Sequence, residues 1–403
     1  MCGLRNMLDI TAIVLGLSPT GLYAVRELVQ MGHKVLGIGE SRQAGSWSRY
    51  LHECISHDNP ITRVQAIIDR FPDGSAPKPI LIVTSDQDLD VVIDRAEELD
   101  GRVHLQGSYR DGLARKIMDK DSFYRLCDKH GVSYPKLWVV ETGDAWELEE
   151  KITYPCMIKP SRIQDVKHLM GGQKGWILKT REDFSRVVQE IPSEAKTLIM
   201  QEIVPGPESS ITLWCGYIDQ SGSVRQRFTA RKLRQYPPGF GSASLVQSHP
   251  EPESAVIAER LLLALGYRGI AAAEFKRDPN TGELKIIEVN PRPSLWFSIS
   301  TSAGVSITGS AAADLLGSKV PDTVYQEDGI RWRYSVKDLL SNLFYRRTKD
   351  FVLGPPNIEV VGPAKAKVSA VFSKDDTKPA LAEIFGFAAK GAARFAARLR
   401  GHQ

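Results

Sequence analysis

Two apolar strands joined by a tight turn near residue 280 constrain this chain more than any other stretch. Gly269 to Lys276 (GIAAAEFK) reads as one strand and Leu284 to Val289 (LKIIEV) as its return. Asp278-Pro279-Asn280-Thr281-Gly282 between them supplies the residues that turns need. Side chains two apart on a strand share a face, so Glu288 and Asn290 point the same way and the hairpin carries Glu274 across from them. Asn290-Pro291-Arg292-Pro293 closes the run. Two carboxylates and an amide oxygen suit Mg²⁺, which completes its shell with water and phosphate oxygens. Arg292 beside them can stabilise charge on a phosphoryl group in transfer. For Glu274 alone, a solvated acid on an exposed hairpin is the plainer reading. The whole group, running from an apolar strand into two prolines around an arginine, favours a site.

The rest of the chain bounds this reading. Its 403 residues exceed one ordinary core and predict two or three compact units. A content of 42% hydrophobic and 25% charged residues is that of a globular protein. The formal charge, 52 − 48 = +4, makes no case for nucleic acid. Five cysteines (Cys2, Cys54, Cys127, Cys156, Cys215) are scattered without a CxxC pair, which argues against a disulfide framework or structural zinc. Met1 to Asp9 lacks the apolar core of a secretory signal. No stretch approaches the roughly 18 apolar residues of a membrane span, so a cytoplasmic protein is expected.

The opening reads strand, glycine turn, helix, strand: Thr11 to Leu17, Ser18-Pro19-Thr20-Gly21, Leu22 to Met31, then Lys34 to Ile38. Pro79 to Thr84 is a further buried strand and Asp90 to Leu99 a helix. This βαβ pattern implies an α/β unit with a parallel sheet. Its turn is not GxGxxG, and Pro19 removes an N–H donor. The turn therefore reads as scaffold or as a wall beside substrate, rather than a dinucleotide site. A second, α+β region runs to about Leu316. It alternates strands (Cys156 to Lys159, Thr197 to Gln201, Ser210 to Tyr217) with helices (Arg181 to Glu190, Glu253 to Leu265).

The E-V-N-P-R stretch, with a glutamate upstream on the paired strand, resembles the metal site of the ATP-grasp superfamily. Five earlier segments fit in order: Met118-Asp119-Lys120 before a helix ending at Gly131-Val132-Ser133-Tyr134-Pro135; Tyr154 to Ser161 (YPCMIKPS); the glycine-rich Met170 to Gly175; Met200 to Glu208; and Thr229 to Pro238 (TARKLRQYPP). The resemblance implies a Rossmann-like pre-ATP-grasp domain over 1–112, a two-lobed ATP-grasp domain over 113–318 and a C-terminal extension over 319–403. It implies ATP and Mg²⁺, with Mn²⁺ as a substitute, the metal on Glu274, Glu288 and Asn290. Lys120 and Lys159 would reach phosphates. Gly171, Gly172 and Lys174 would belong to a mobile lid. The segment holding Gln201, Glu202, Ile203 and Val204 would meet adenine, through the backbone of Glu202 and Val204. Glu208 would hold ribose. Arg231 or Lys232 would hold the γ-phosphate or the acceptor carboxylate, with Gly239 to Ala243 a flexible loop nearby.

By the same resemblance, a substrate carboxylate becomes an acyl phosphate and an amine attacks it, giving an amide, ADP and phosphate. The TARKLRQYPPGFG and NPRPSLW stretches are similar to carboxylate–amine ligases of the D-aspartate ligase-like branch, with Arg292, Ser294 and Trp296 near substrate. The partners implied are small carboxylates and amines, with no nucleic acid, and dimers are common in the superfamily. A carboxylase working through carboxyphosphate and a non-catalytic ATP sensor are the alternatives. In the C-terminal tail, Lys390, Arg394 and Arg398 recur every four residues, while Ile384, Ala388, Ala392, Phe395 and Leu399 occupy another face. Such a basic amphipathic helix can lie on the inner face of a membrane, or pack on the protein or a partner.

Overall fold

The computed structural model describes residues 10–74, 76–160, 175–321, 324–349 and 351–400, with the helix alone over 390–400. Aliphatic runs without polar alternation make three strands of the first sheet, as strands covered on both faces do, while one edge strand, Glu53–Ser56, alternates and is partly exposed. β1 (Ala12–Leu15), β2 (Val35–Gly39), β3 (Glu53–Ser56) and β4 (Ile80–Val83) lie in the order β3-β2-β1-β4, all parallel. Helix α1 (Pro19–Gln30) opens on proline, where no N–H is needed. Gly16 (φ +90°) makes the turn into it, and a Cβ on Gly21 would fall 1.9 Å from the Gly16 carbonyl oxygen. The Thr84 hydroxyl donates to the Leu15 and Gly16 carbonyls at 3.0 and 2.8 Å. The turn is packed on itself, as scaffold. Helix α2 (Pro60–Arg70) follows β3. The helix expected from Asp90 begins earlier: α3 (Asp86–Asp94) is capped by Ser85, and a short helix, Ala96–Asp100, continues it.

Helix α4 (Lys120–Lys129) leads into a small lobe. There β5 (Leu137–Glu141), β6 (Cys156–Pro160), β7 (Trp176–Leu178) and β8 (Thr197–Glu202) form an antiparallel sheet in the order β5-β8-β6-β7, covered by α5 (Arg181–Glu190).

The large lobe is a seven-stranded sheet, β13-β12-β9-β10-β11-β14-β15. Its strands are β9 (Ile211–Ile218), β10 (Val224–Tyr236), β11 (Ser242–Ser248), β12 (Gly269–Arg277), β13 (Leu284–Asn290), β14 (Ile330–Arg333) and β15 (Ala366–Ser369). Only β14 and β15 pair in parallel. One face carries α6 (Pro252–Ala264), whose Ala258, Leu261 and Leu262 meet Trp214, Phe275 and Ile286. The other face shares a core with α1 and α7 (Ile307–Leu315), so the N-terminal unit is packed onto this lobe.

The chain beyond 318 supplies β14 and β15 to this sheet, then α8 (Ser335–Arg347) and α9 (Lys378–Arg400). Along α9, Ala380 and Phe387 pack on the core while Leu381, Ile384 and Phe385 are exposed. Among the described residues no helix is long and apolar enough to cross a membrane. Just before α9, the buried Asp376 accepts from Arg26 Nε at 3.1 Å, the Ser48 hydroxyl at 2.7 Å and the Arg49 N–H at 3.0 Å. This carboxylate ties the C-terminal segment to the first sheet's unit. Removing one partner of a buried pair strands the other, at a cost of about 3 kcal/mol. Asp376→Ala should lower the melting temperature by several degrees, whereas Asp375→Ala beside it should not; thermal unfolding of both variants checks this.

Candidate functional site

The hairpin holds the register its sequence predicts. Glu274 of β12 lies directly opposite Glu288 of β13, and Ala272 opposite Asn290. Through β9, Glu274 is in line with Leu213 and Ala230, and Lys232 with Ile211 and Lys276, so Lys232, Glu274 and Lys276 share one face. Lys232, 2% exposed, forms an ion pair with Glu274. Burial pushes the Glu274 carboxyl above its ordinary value, Lys232 opposes this, and the charge of Glu288 adds to it. Asn290 Nδ2 donates to Glu288 Oε1 at 3.1 Å, and its Oδ1 accepts from Arg292 Nη2 at 3.3 Å.

These groups fit a hard dication. Two facing carboxylates, one of them desolvated, create a repulsion that a cation would relieve. No cluster of three His, Cys, Asp or Glu occurs among the described residues. A metal held by Glu274, Glu288 and the Asn290 amide oxygen would therefore take its other ligands from phosphate and water, as Mg²⁺ does.

A cleft of about 270 Å³ opens from this hairpin toward the small lobe. Lys120 and Lys159 line it with Glu274 and Glu288. Lys120 Nζ donates to Gln201 Oε1 at 3.0 Å, and Gln201 Nε2 to the Tyr124 hydroxyl at 2.7 Å. Burial lowers the Lys120 pKa, while Glu288 and Glu274 hold it up. At the other end, Ile203 and Val204 of the segment joining the lobes form an apolar wall. Lys276 grips that segment, donating to the Val204 and Gly206 carbonyls at 2.8 and 2.7 Å. Burial brings its pKa down to about 8. Its register partner Lys285 reaches the same segment at the Glu202 carboxylate, 2.7 Å away, and also holds Asp278 at 3.0 Å. The Glu202 side chain is thus spent on Lys285 and on the Lys136 N–H, 2.9 Å away.

Several expected site residues lie elsewhere. Arg231 pairs in line with Thr212 and Phe275, on the opposite face of the sheet from Lys232. There its Nε donates to Glu251 Oε1 at 2.7 Å, away from the cleft. Glu208, expected at ribose, is fully buried and accepts from the Gln235 and Gly239 N–H groups. It braces the turn after β10, so the stretch expected as a flexible loop, 239–243, is a pinned turn running into β11. Trp296 is 2% exposed and packed between Phe228 and Phe297, with Ser294 buried beside it. Arg292 stands beside Asn290, but its Nε and Nη2 each meet a carboxylate oxygen of Asp86 at 2.6 Å, at the seam with the first sheet's unit. Gly171, Gly172 and Lys174 lie outside the described residues.

Two polar residues of the cleft were not picked out from the sequence. Lys276 shares its strand face with Glu274, a period-two signal that was there to be used. Gln235 carried no such signal, because register shifts between Lys232, Arg234 and Gln235 break the alternation along β10.

No family model matches the chain. It is 26% identical over 242 residues to a D-aspartate ligase of Enterococcus faecium, covering 57% of each chain. It is also 26% identical over 269 residues to the C-terminal section of a carbamoyl phosphate synthase large chain of Methanopyrus kandleri, covering 63% of this chain and 48% of that one. The chain thus spans about half the length of the curated relatives it matches. Among solved structures, an ADP complex of an N5-carboxyaminoimidazole ribonucleotide synthetase superposes with a TM-score of 0.61 at 15% identity, over 79% of this chain and 80% of that one. A biotin carboxylase of Campylobacter jejuni does so at 0.60 and 16%, over 81% and 75%. With a parallel-sheet unit, two lobes around a cleft and paired carboxylates on the late hairpin, the chain shares the fold of these ATP-grasp enzymes.

Proposed function

We propose that this chain is an ATP-dependent ligase that converts a substrate carboxylate to an acyl phosphate and transfers the acyl group to an amine. The observation that carries this reading is the gathering of Glu274, Glu288, Lys120, Lys159 and Lys232 on one cleft between two lobes, with Asn290 and Arg292 at its edge. The relative named D-aspartate ligase supports amino-acid substrates and the amide-forming branch.

The chemistry divides along the cleft. Adenine lies against Ile203 and Val204. The Val204 carbonyl is taken by Lys276, so the base meets the Val204 N–H and the Glu202 carbonyl. Lys120 and Lys159 hold phosphate oxygens. Glu274, Glu288 and Asn290 would hold Mg²⁺, which would supply charge neutralisation at the phosphates. Lys232 faces the γ-phosphoryl group and neutralises it as it moves. Asp86 occupies the Arg292 fork as a substrate carboxylate would, which puts the acid at the seam with the N-terminal unit. In the first step a carboxylate oxygen bonds to the γ-phosphorus as ADP leaves. In the second the amine nitrogen bonds to the acyl carbon, phosphate leaves and the nitrogen gives up a proton.

A peripheral contact with an anionic membrane surface is supported by one feature. Leu381, Ile384 and Phe385 of α9 are exposed on a segment whose sequence continues with Lys390, Arg394 and Arg398.

Four outcomes test these readings. An ADP-release screen over amino acids and small acids, with and without bicarbonate, should find release that requires an acid and an amine together, and Glu288→Gln should lose it by at least about a hundredfold. Release driven by bicarbonate alone, or none with any pair, refutes the ligase. Lys276→Met should raise the KM for ATP about tenfold with kcat within about twofold, since it loosens the base wall and leaves the phosphates alone. Because Lys276 holds its proton less tightly when folded (about 8) than its ordinary 10.5, its contribution to stability should rise with pH between those values and be flat, at its lowest, below about 8. Melts of wild type and Lys276→Met across that window read the slope. Finally, Leu381→Glu with Ile384→Glu should abolish pelleting with anionic liposomes, and equal pelleting removes the membrane contact.

A further inference from the structure

Glu208 spends both carboxylate oxygens on the turn that ends β10. It accepts from the Gln235 N–H at 3.0 Å and from the Gly239 N–H. The backbone is fixed on both sides of the turn, and Gln235, 2% exposed, lines the cleft. Its Oε1 lies 3.5 Å from Lys232 Nζ. Charge fixes that orientation, because a flipped amide would set its NH₂ group against an ammonium. Gln235 Nε2 is then a buried donor with no hydrogen-bond partner among the described residues. Native interiors rarely leave such a group unmet, and one beside a cleft marks where a ligand supplies the missing acceptor.

We propose that Gln235 is a nucleotide-binding residue whose Nε2 donates to an oxygen of the ribose–phosphate part of the bound nucleotide. The assignment rests on the reading of the cleft as a nucleotide site. The ring nitrogens of a base belong at the Val204 end, where Lys276 holds the lobe-joining segment. Gln235 instead neighbours Lys232, whose partner Glu274 marks the metal end. The acceptors available there are phosphate oxygens and ribose hydroxyls, which share one chemistry. The role expected of Glu208 is thereby divided: the carboxylate shapes the turn, and the amide it positions meets the ligand.

Full-length Gln235→Glu and Gln235→Met test this by calorimetric affinities for adenosine, AMP and ADP, with thermal melts beside them. Gln235→Glu keeps an oxygen facing Lys232, so a loss in that variant is not a loss of the lysine contact. Both variants should bind ADP about tenfold more weakly than wild type or worse. Unchanged adenosine affinity assigns the acceptor to phosphate, and an equal loss for adenosine assigns it to ribose. Variants that melt like wild type and bind all three ligands within about twofold of it overturn the proposal. A variant that melts lower is judged by its adenosine-to-ADP affinity ratio and by the other variant. Wild type that binds no adenine nucleotide would overturn the reading of the cleft, and this assignment with it.

Discussion

Two carboxylates set directly opposite each other on an antiparallel hairpin repel, and the large lobe is arranged around that repulsion. Glu274 and Glu288 are cross-strand partners, and burial makes the charge of Glu274 dearer still. Lys232 comes from two strands away, at a register that only the order β12-β9-β10 provides, and neutralises Glu274. The Asn290 amide bridges Glu288 to Arg292. Apolar cores on both faces of the sheet hold these positions, from Trp214 and Phe275 on one side to Phe228 and Trp296 on the other. On the proposed ligase reading, this arrangement is a site preorganised for a cation and a polyphosphate, as phosphoryl transfer requires.

The same hairpin reaches outward in two directions. Lys276 and Lys285, adjacent across the ladder, fasten it to the segment that joins the lobes. Pro291 and Arg292, just past its end, fasten it to the N-terminal unit. The Pro291 carbonyl accepts from the Tyr109 hydroxyl at 3.0 Å, and Arg292 grips Asp86. A ligand that draws on Glu288 or Arg292 therefore acts on groups already joined to both neighbouring units. This gives a physical route by which substrate binding and lobe position become linked.

Much of this was legible in the sequence because it follows short periods. The hairpin, its turn and the placement of Glu274, Glu288 and Asn290 come from alternation along two strands. The first parallel strands come from aliphatic runs, and the Arg181–Glu190 helix from its 3.6-residue pattern. What was hidden depends on three-dimensional register. Arg231 and Lys232 are neighbours in sequence and on opposite sides of the sheet, and only the pairing with β9 tells which one faces the cleft. Bulges in β10 conceal Gln235. Strands β14 and β15 are short and lie far along the chain from the sheet they extend, so no local pattern announced them. The roles of Glu208 and Asp86 rest on contacts with distant backbone and side chains that no spacing encodes.

The most direct test of this arrangement is a crystal structure grown with Mn²⁺ and ADP, read by the anomalous signal of the metal. The account predicts a manganese bonded to both Glu274 and Glu288, with ADP phosphate completing its shell and adenine against Ile203 and Val204. A metal and nucleotide bound away from that hairpin, or Glu274 still paired with Lys232 and free of metal in the nucleotide complex, would contradict it.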